Sequence, residues 1–438
     1  MSQYRAYPAY KDSGVEWIGQ VPEHWKIAQI KRISALNPRK STLSEEKDSL
    51  CTFLPMEKLR TNAVTLDETR PIHEVYGGYS YFCDGDILIA KVTPCFENGN
   101  IAVANGLVNG IGFGSTEINV LRVNGKGHNR FLYYRLQEEQ FRTIAKSEMR
   151  GTGGLKRVPT DLFESFTIGL PDTDEQATIA ATLDQETARI DALVEKKTRF
   201  IELLKEKRQA LITHAVTKGL DPNVKMKDSG VEWIGQVPEH WEVKPICRVT
   251  SVNDDVLPDS TTDDTPIRYV DISSVGYMEG IKQASDMCFA DAPSRARRKA
   301  SSGDVIISTV RTYLKAVAAV TDEYADCVFS TGFAVLRARH LDRSFLKWMV
   351  LNELLIQAIE AHSEGLSYPA INASALVKLK SVIPPPEEQA SIAATLDRET
   401  ARIDALMDKA KQSITLLKER RAAFITAAVT GQIDLRGK

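Results

Sequence analysis

The chain has 438 residues, 26% of them charged and 43% hydrophobic, with a formal net charge of −2, a composition ordinary for a folded protein of two or three domains. A balance this close to neutral carries no global signature of a nucleic-acid binder, so any such role has to rest on local patches. No apolar run reaches transmembrane length, Met1–Tyr10 lacks a signal-peptide pattern, and the six scattered cysteines form no C-x-x-C pair, which argues against a membrane span, a disulfide framework or a zinc site and for a cytoplasmic setting.

In chain order, the first distinctive stretch is Lys11–Trp25, KDSGVEWIGQVPEHW, which returns unchanged at Lys227–Trp241. Four of the five tryptophans, Trp17, Trp25, Trp233 and Trp241, lie in these two cassettes. Tryptophan is enriched at interface hot spots, which makes the four candidate partner anchors. Closing the core of an adjoining globule is the equal alternative.

A long segment follows each cassette, 26–170 and 242–384, and the two have diverged over a shared skeleton. Gly85-Asp86-Ile87-Leu88-Ile89 answers Gly303-Asp304-Val305-Ile306-Ile307 as an apolar strand opened by a turn. Ser115-Thr116 leading to Arg122 answers Ser330-Thr331 leading to Arg337, and Phe131-Leu132 answers Phe345-Leu346 at a helix start. The equivalent placement of Arg122 and Arg337 suggests phosphate contact or structural pairing. The run Gly110–Gly114 reads as a loop between strands, since no βαβ context surrounds it.

Base readout needs Arg, Lys, Asn, Gln, Ser or Thr on loops, and glycines let backbone approach phosphate. In the first globule the candidates are Lys91, Thr93, Asn98 and Asn100 after the GDILI strand, then Arg150, Thr152, Lys156 and Arg157 in a glycine-rich loop. The second offers the basic run Arg295, Arg297, Arg298 and Lys299, then Arg311, Thr312, Tyr313 and Lys315 after GDVII, and Ser363, Ser367 and Tyr368 in the late loop. For any one of these residues, a solvated surface charge is the bland alternative.

Each half then closes on a long helix, and the two helices, with Glu175-Gln176 and Glu388-Gln389 near their starts, align without a gap at an offset of 213. Leu183, Ile190, Leu193, Leu204 and Leu211 in one, and Leu396, Ile403, Leu406, Leu417 and Phe424 in the other, form a heptad seam that buries its stripe against another helix. Thr173 with Gln176 fits a capping box, Pro386 a first helical position, and Gly219 and Gly431 the helix stops. At 1.5 Å per residue each helix spans on the order of 65 Å. The expected architecture is α+β: a first mixed α/β globule at 1–170 with cassette 11–25, a central helix at 171–219, a second globule at 220–384 with cassette 227–241, and a C-terminal helix at 385–438. Equivalence of the halves makes the helices antiparallel, brings cassette one to the end of the second helix, and puts the globules at opposite ends of a rod.

The paired EEQ-x-x-I-A-x-x-L-D helices, the SGVEWIGQVPEHW cassettes and the GDILI and GDVII strands, in this order over essentially the whole chain, resemble the specificity subunits of type I restriction–modification systems. The resemblance implies two target recognition domains, each reading half of a bipartite, asymmetric double-stranded DNA sequence. It implies helices that set the spacer and dock two methyltransferase subunits, with two restriction subunits joining that assembly. S-adenosylmethionine, ATP and magnesium would then belong to those partners, and none to this chain. The residues themselves offer little chemistry. Asn37-Pro38-Arg39 lacks the second proline and the aromatic of an amino-methyltransferase loop, no phosphate-binding G-x-x-x-x-G-K-[ST] run occurs, and the histidines show no metal-ligand spacing. A coiled-coil scaffold that binds only proteins, and a fragment of a fused methyltransferase–specificity enzyme, are the alternatives.

Overall fold

The computed structural model describes residues 4–43, 46–152 and 154–437. The chain divides into two units, 1–197 with 412–438, and 198–411. Helices α1 (Ile72–Val75), α2 (Asn129–Arg135), α3 (Glu139–Ser147) and α4 (Thr160–Ser165) lie in the first unit. The long α5 (Thr173–Lys218) contributes to both units. Helices α6 (Arg343–Val350), α7 (Glu353–Ala361) and α8 (Ala373–Leu376) belong to the second, and the long α9 (Pro386–Val429) again contributes to both.

Two four-stranded sheets build the first globule. One has the order 101–103, 87–90, 118–123, 34–36 and is antiparallel throughout. Ile87–Ala90 is buried at every position, as a strand covered on both faces requires. The other has the order 69–71, 50–54, 111–114, 80–83, with 50–54 and 111–114 parallel. Ile111–Gly114, expected as a loop, is therefore a strand. Its glycines serve packing, since a Cβ on Gly112 would lie 2.1 Å from the Phe82 ring.

The second globule repeats this plan from a different sequence. Its first sheet runs 250–252, 333–338, 305–308, 317–319. Its second runs 255–256, 296–299, 328–330, 266–270, 285–288, with 266–270 and 328–330 parallel, and so adds one edge strand.

The aspartate of each G-D turn explains why that dipeptide occurs twice. Asp86, 2% exposed, accepts Cys83 N at 2.7 Å and is gripped by Arg122 through Nε at 2.8 Å and Nη2 at 2.6 Å. Asp304 accepts Ser301 N at 2.7 Å and Arg337 Nε at 3.0 Å. A buried carboxylate needs such partners, and Arg122 and Arg337 are thereby structural pairs.

In each unit the two helix segments run antiparallel. In the first, Arg436 lies 3.9 Å from Glu175, and Arg421 bonds Asp191 at 3.0 Å. In the second, Arg208 bonds Asp404 at 2.5 Å, while Trp241 touches both the Gly219 end of α5 and Glu388 near the start of α9. The burial pattern corrects the expected seam at two positions. Leu183, Ile190, Leu204, Leu396, Ile403 and Phe424 are buried and Leu211 and Leu417 half-buried, but Leu193 and Leu406 are each 40% exposed. The stripe advances in alternating steps of four and three through Leu183, Thr187, Ile190, Val194, and through Leu396, Thr400, Ile403, Met407. Leu193 and Leu406 fall one residue short of that alternation and turn about 100° away from it.

Helix starts also differ from the simplest reading. Asp172 Oδ1, rather than Thr173, accepts Glu175 N at 2.9 Å and caps α5. Gln176 reaches out of its helix instead, accepting His128 N at 2.8 Å and donating to Pro171 O at 2.9 Å. Gln389 does the same in the second unit, accepting Asp342 N at 2.8 Å and donating to Pro384 O at 2.8 Å. One glutamine thus fastens each long helix to the turn that opens α2 in the first globule and α6 in the second.

The neighbouring glutamate fastens the cassette. Glu175, 4% exposed, accepts Tyr7 OH at 2.7 Å and Trp25 Nε1 at 3.1 Å, and lies 2.7 Å from His24 Nε2. Burial and the adjacent carboxylate push the Tyr7 phenol well above its ordinary range. Glu388 accepts Trp241 Nε1 at 3.0 Å and lies 2.6 Å from His240 Nε2. Trp25 also packs on Gly431 and Trp241 on Gly219, both glycines having positive φ, so cassette one sits at the end of α9. Arg5 and Asp434 form a bridge beside it.

Candidate nucleic-acid interface

In the first globule, the residues after strand 87–90 and the hairpin 150–157 form one edge. Arg150 and Arg157 close the hairpin, and Val92 bridges to Arg157. Thr93 Oγ1 accepts Lys156 N at 2.9 Å and donates to Gly154 O at 2.8 Å, so its hydroxyl braces the hairpin. Glu117 holds Arg157 bidentately, at 2.9 Å to Nε and 2.7 Å to Nη2, and this contact keeps the Glu117 carboxyl below its ordinary range. Arg150, Thr152 and Lys156 are exposed around this brace, and Lys91 is half-buried beside them. Asn98 is exposed on the adjoining turn, whereas Asn100 is 7% exposed. Asn100 is thus corrected from a contact candidate to an interior residue, closed in by the turn around Phe96.

The second globule builds the equivalent edge from strand 305–308 and the hairpin 364–370. Glu364 and Ala370 close the hairpin, and Val310 bridges to Ala370. Arg311 and Lys315 adopt positive φ and carry the turn between them. The Arg311 guanidinium lies over the Tyr368 ring at 5.1 Å, a cation–π contact at the surface. Tyr313 is 53% and Tyr368 65% exposed, and Ser367 is exposed between Leu366 and Tyr368. Two candidates are engaged elsewhere. Thr312 is buried and donates to Ser363 Oγ at 2.9 Å, and Lys315 Nζ bonds Glu353 at 2.7 Å. Thr312 is therefore a brace and not a free contact.

The basic run does not make one patch. Residues 296–299 form a strand, and successive side chains of a strand point to opposite faces. Arg298 lines a cleft of about 460 Å³ with Thr309, Thr331, Phe333, Glu364 and Asn372. Its Nε has no partner among the described residues, and burial lowers its pKa. Lys299 lines another depression with Arg268 and Met287. Arg297 lies over the Phe289 ring at 5.0 Å, and Arg295 is exposed before the strand. Arg298 and its cleft, not the whole run, join the hairpin edge. Asn372, Glu364, Leu155 and Leu366 on these edges were not singled out from the sequence, although the glycines that flank the hairpins mark where such tips occur.

The cassette tryptophans divide in two. Trp25 and Trp241 have no exposed surface and sit in the cores of their units, so they are core plugs and not anchors for a partner. Trp17 is 42% exposed and stacks on Phe166, and Trp233 is half-buried. Among the described residues, no group of three or more His, Cys, Asp or Glu side chains is placed to hold a metal ion. No helix among them is long and apolar enough to cross a membrane.

Residues 22–203 match the family described as the type I restriction modification DNA specificity domain. The chain is 32% identical over 164 residues to the EcoEI type I specificity subunit of Escherichia coli, which is 37% of this chain but 28% of that relative's length. It is 22% identical over 438 residues, 95% of each chain, to the MjaVIII type I specificity subunit of Methanocaldococcus jannaschii. A solved structure described under complex assembly and conformational transition of the type I R-M system shares the fold at a TM-score of 0.74 and 19% identity, over 94% of this chain and 99% of that one. The domain match, the full-length relative and the shared fold together make the chain similar, in sequence over residues 22–203 and in fold over nearly its whole length, to type I restriction–modification specificity subunits.

Proposed function

We propose that the chain is the DNA sequence-specificity subunit of a type I restriction–modification complex, with the hairpin edge of each globule reading one half of a bipartite, asymmetric site. The observation that carries this reading is the pairing of one scaffold with two different faces. The Asp–Arg turns, the hairpins and their bridges recur in both globules, while the side chains on those edges differ: Arg150, Thr152 and Lys156 in one, Arg311, Tyr313 and Tyr368 in the other. Tyrosine and arginine on braced loops suit groove contacts, and Lys156 suits phosphate.

In this proposal the paired helices fix half-site separation, much as dimeric readers fix theirs, and dock two methyltransferase subunits. Joining two readers in one chain raises affinity through effective concentration. The chain has no catalysis of its own. Adenine methylation with S-adenosylmethionine, on a base taken out of the stack, belongs to the modification subunits, and ATP- and magnesium-dependent cleavage to two restriction subunits in the cytoplasm. Filter binding of the chain with its methyltransferase partner, on duplexes selected from a random pool, tests the reading. Enrichment of a split, asymmetric sequence is expected, and binding without sequence preference would favour a protein-only scaffold.

A further inference from the structure

We propose that Leu155 and Leu366, at the tips of the two equivalent hairpins, insert between stacked base pairs and open one base step in each half-site. The proposal rests on the DNA reading above. Leu366 is 106% exposed and Leu155 is 56% exposed, so neither packs into its own globule. Both hairpins stand at the same topological place, bridged to the residue stretch after the G-D strand by Val92–Arg157 and Val310–Ala370.

The described backbone beside each leucine folds back on its own hairpin. A Cβ on Gly151, at φ +144, would lie 2.2 Å from Leu155 O, and one on Gly365, at φ +108, would lie 3.2 Å from Tyr368 O. The turns are thus folded back tightly enough to demand glycine, and each presents its leucine outward. The hairpins differ in length and in almost every other residue, RGTGGLKR against EGLSYPA, yet each carries a leucine beside its turn, on the returning arm in one and on the outgoing arm in the other. What differs between the two readers serves different bases, and what they share serves a step common to any duplex.

An apolar side chain between base steps is a recurrent way to unstack a duplex, with leucine among the residues used. Cations beside the wedge hold the backbone while the step opens. Lys156 follows Leu155 and Arg150 stands at the base of the same hairpin, and Arg311 lies over Tyr368, two residues from Leu366.

The test uses the full chain assembled with its methyltransferase partner and a duplex carrying the selected site, with 2-aminopurine placed at successive positions. Apart from any rise at the adenine that the methyltransferase takes out of the stack, fluorescence should rise at one further step in each half-site, and that further rise is the wedge signal. Leu155→Ala should abolish the rise in one half only and Leu366→Ala in the other, each lowering affinity roughly tenfold, while Leu366→Met keeps the signal. Unchanged affinity and a 2-aminopurine signal quenched at every position away from the methylated adenine in the wild-type complex would overturn the wedge and leave the DNA reading standing. A wedge signal, away from the methylated adenine, that survives both alanine variants would also overturn it. Failure of the wild-type complex to bind any site selectively would overturn the DNA reading and the wedge with it.

Discussion

The two hairpin edges, 150–157 and 364–370, differ in almost every side chain, whereas the joints of the two globules use the same residue types in equivalent places. Asp86 with Arg122 and Asp304 with Arg337 brace the same strand entrance, and Gln176 and Gln389 tie the same helix to the same turn. The hairpin edges diverge on surfaces that face outward, whereas these repeated contacts carry a fixed geometry. The lesson is that repeated motifs here report joints, while the chemistry that distinguishes the two globules lies where the repeat fails.

Removing a joint should cost far more than altering an edge. Trp25→Ala and Trp241→Ala each empty a fully buried site, and about 3–5 kcal/mol of stability should be lost from the unit concerned, read by calorimetry or denaturant unfolding. A loss below 1 kcal/mol would mean that the cassettes are not plugs. The glutamates sharpen the comparison because their burial differs, with side-chain exposures of 3% for Glu175 and 37% for Glu388. Glu175→Ala leaves the Trp25 and Tyr7 donors buried without a partner and should cost roughly 1–3 kcal/mol. Glu388→Ala, with water at hand, should cost clearly less in the same experiment. Equal losses would show that the two latches are energetically the same despite their different exposure.

The smallest expected effect separates the two hairpins by pH. The Arg157 contact depresses the folded-state pKa of Glu117. Its stabilisation is therefore complete above the ordinary glutamate value of about 4.3 and fades as pH falls through the lower folded value. Amide exchange in 150–157, corrected for the intrinsic rate, should quicken in that acid range. The 364–370 hairpin, braced by the Thr312–Ser363 hydroxyls, should not respond. An equal response in both would remove Glu117 as the cause.

Much of the skeleton was legible because it depends on local pattern. The apolar strands after Gly85 and Gly303, the helix stops at Gly219 and Gly431, and the start at Pro386 all follow from periodicity and backbone chemistry, and the structure has them where the residues put them. Leu193 and Leu406 were misread because a stripe built from alternating steps of three and four also passes through Thr187, Val194 and Thr400, which composition alone does not mark as seam. Ile111–Gly114 was misread because its glycines make room for Phe82, a tertiary reason invisible in the run itself. Among the edge residues, Arg150, Lys156, Arg311 and Tyr368 keep the exposed places a reader needs. Asn100 and Thr312 could not be told from them, since burial is decided by turns whose closure involves distant chain segments.

The central claim is that one chain carries two independent readers on one shared scaffold. The most direct measurement is to exchange residues 26–170 for the corresponding segment of a similar type I specificity subunit and map methylated sites genome-wide in cells that also express the methyltransferase. The account predicts a new sequence in one half of the site, with the other half and the spacing unchanged. A change in both halves, or in neither, would contradict it.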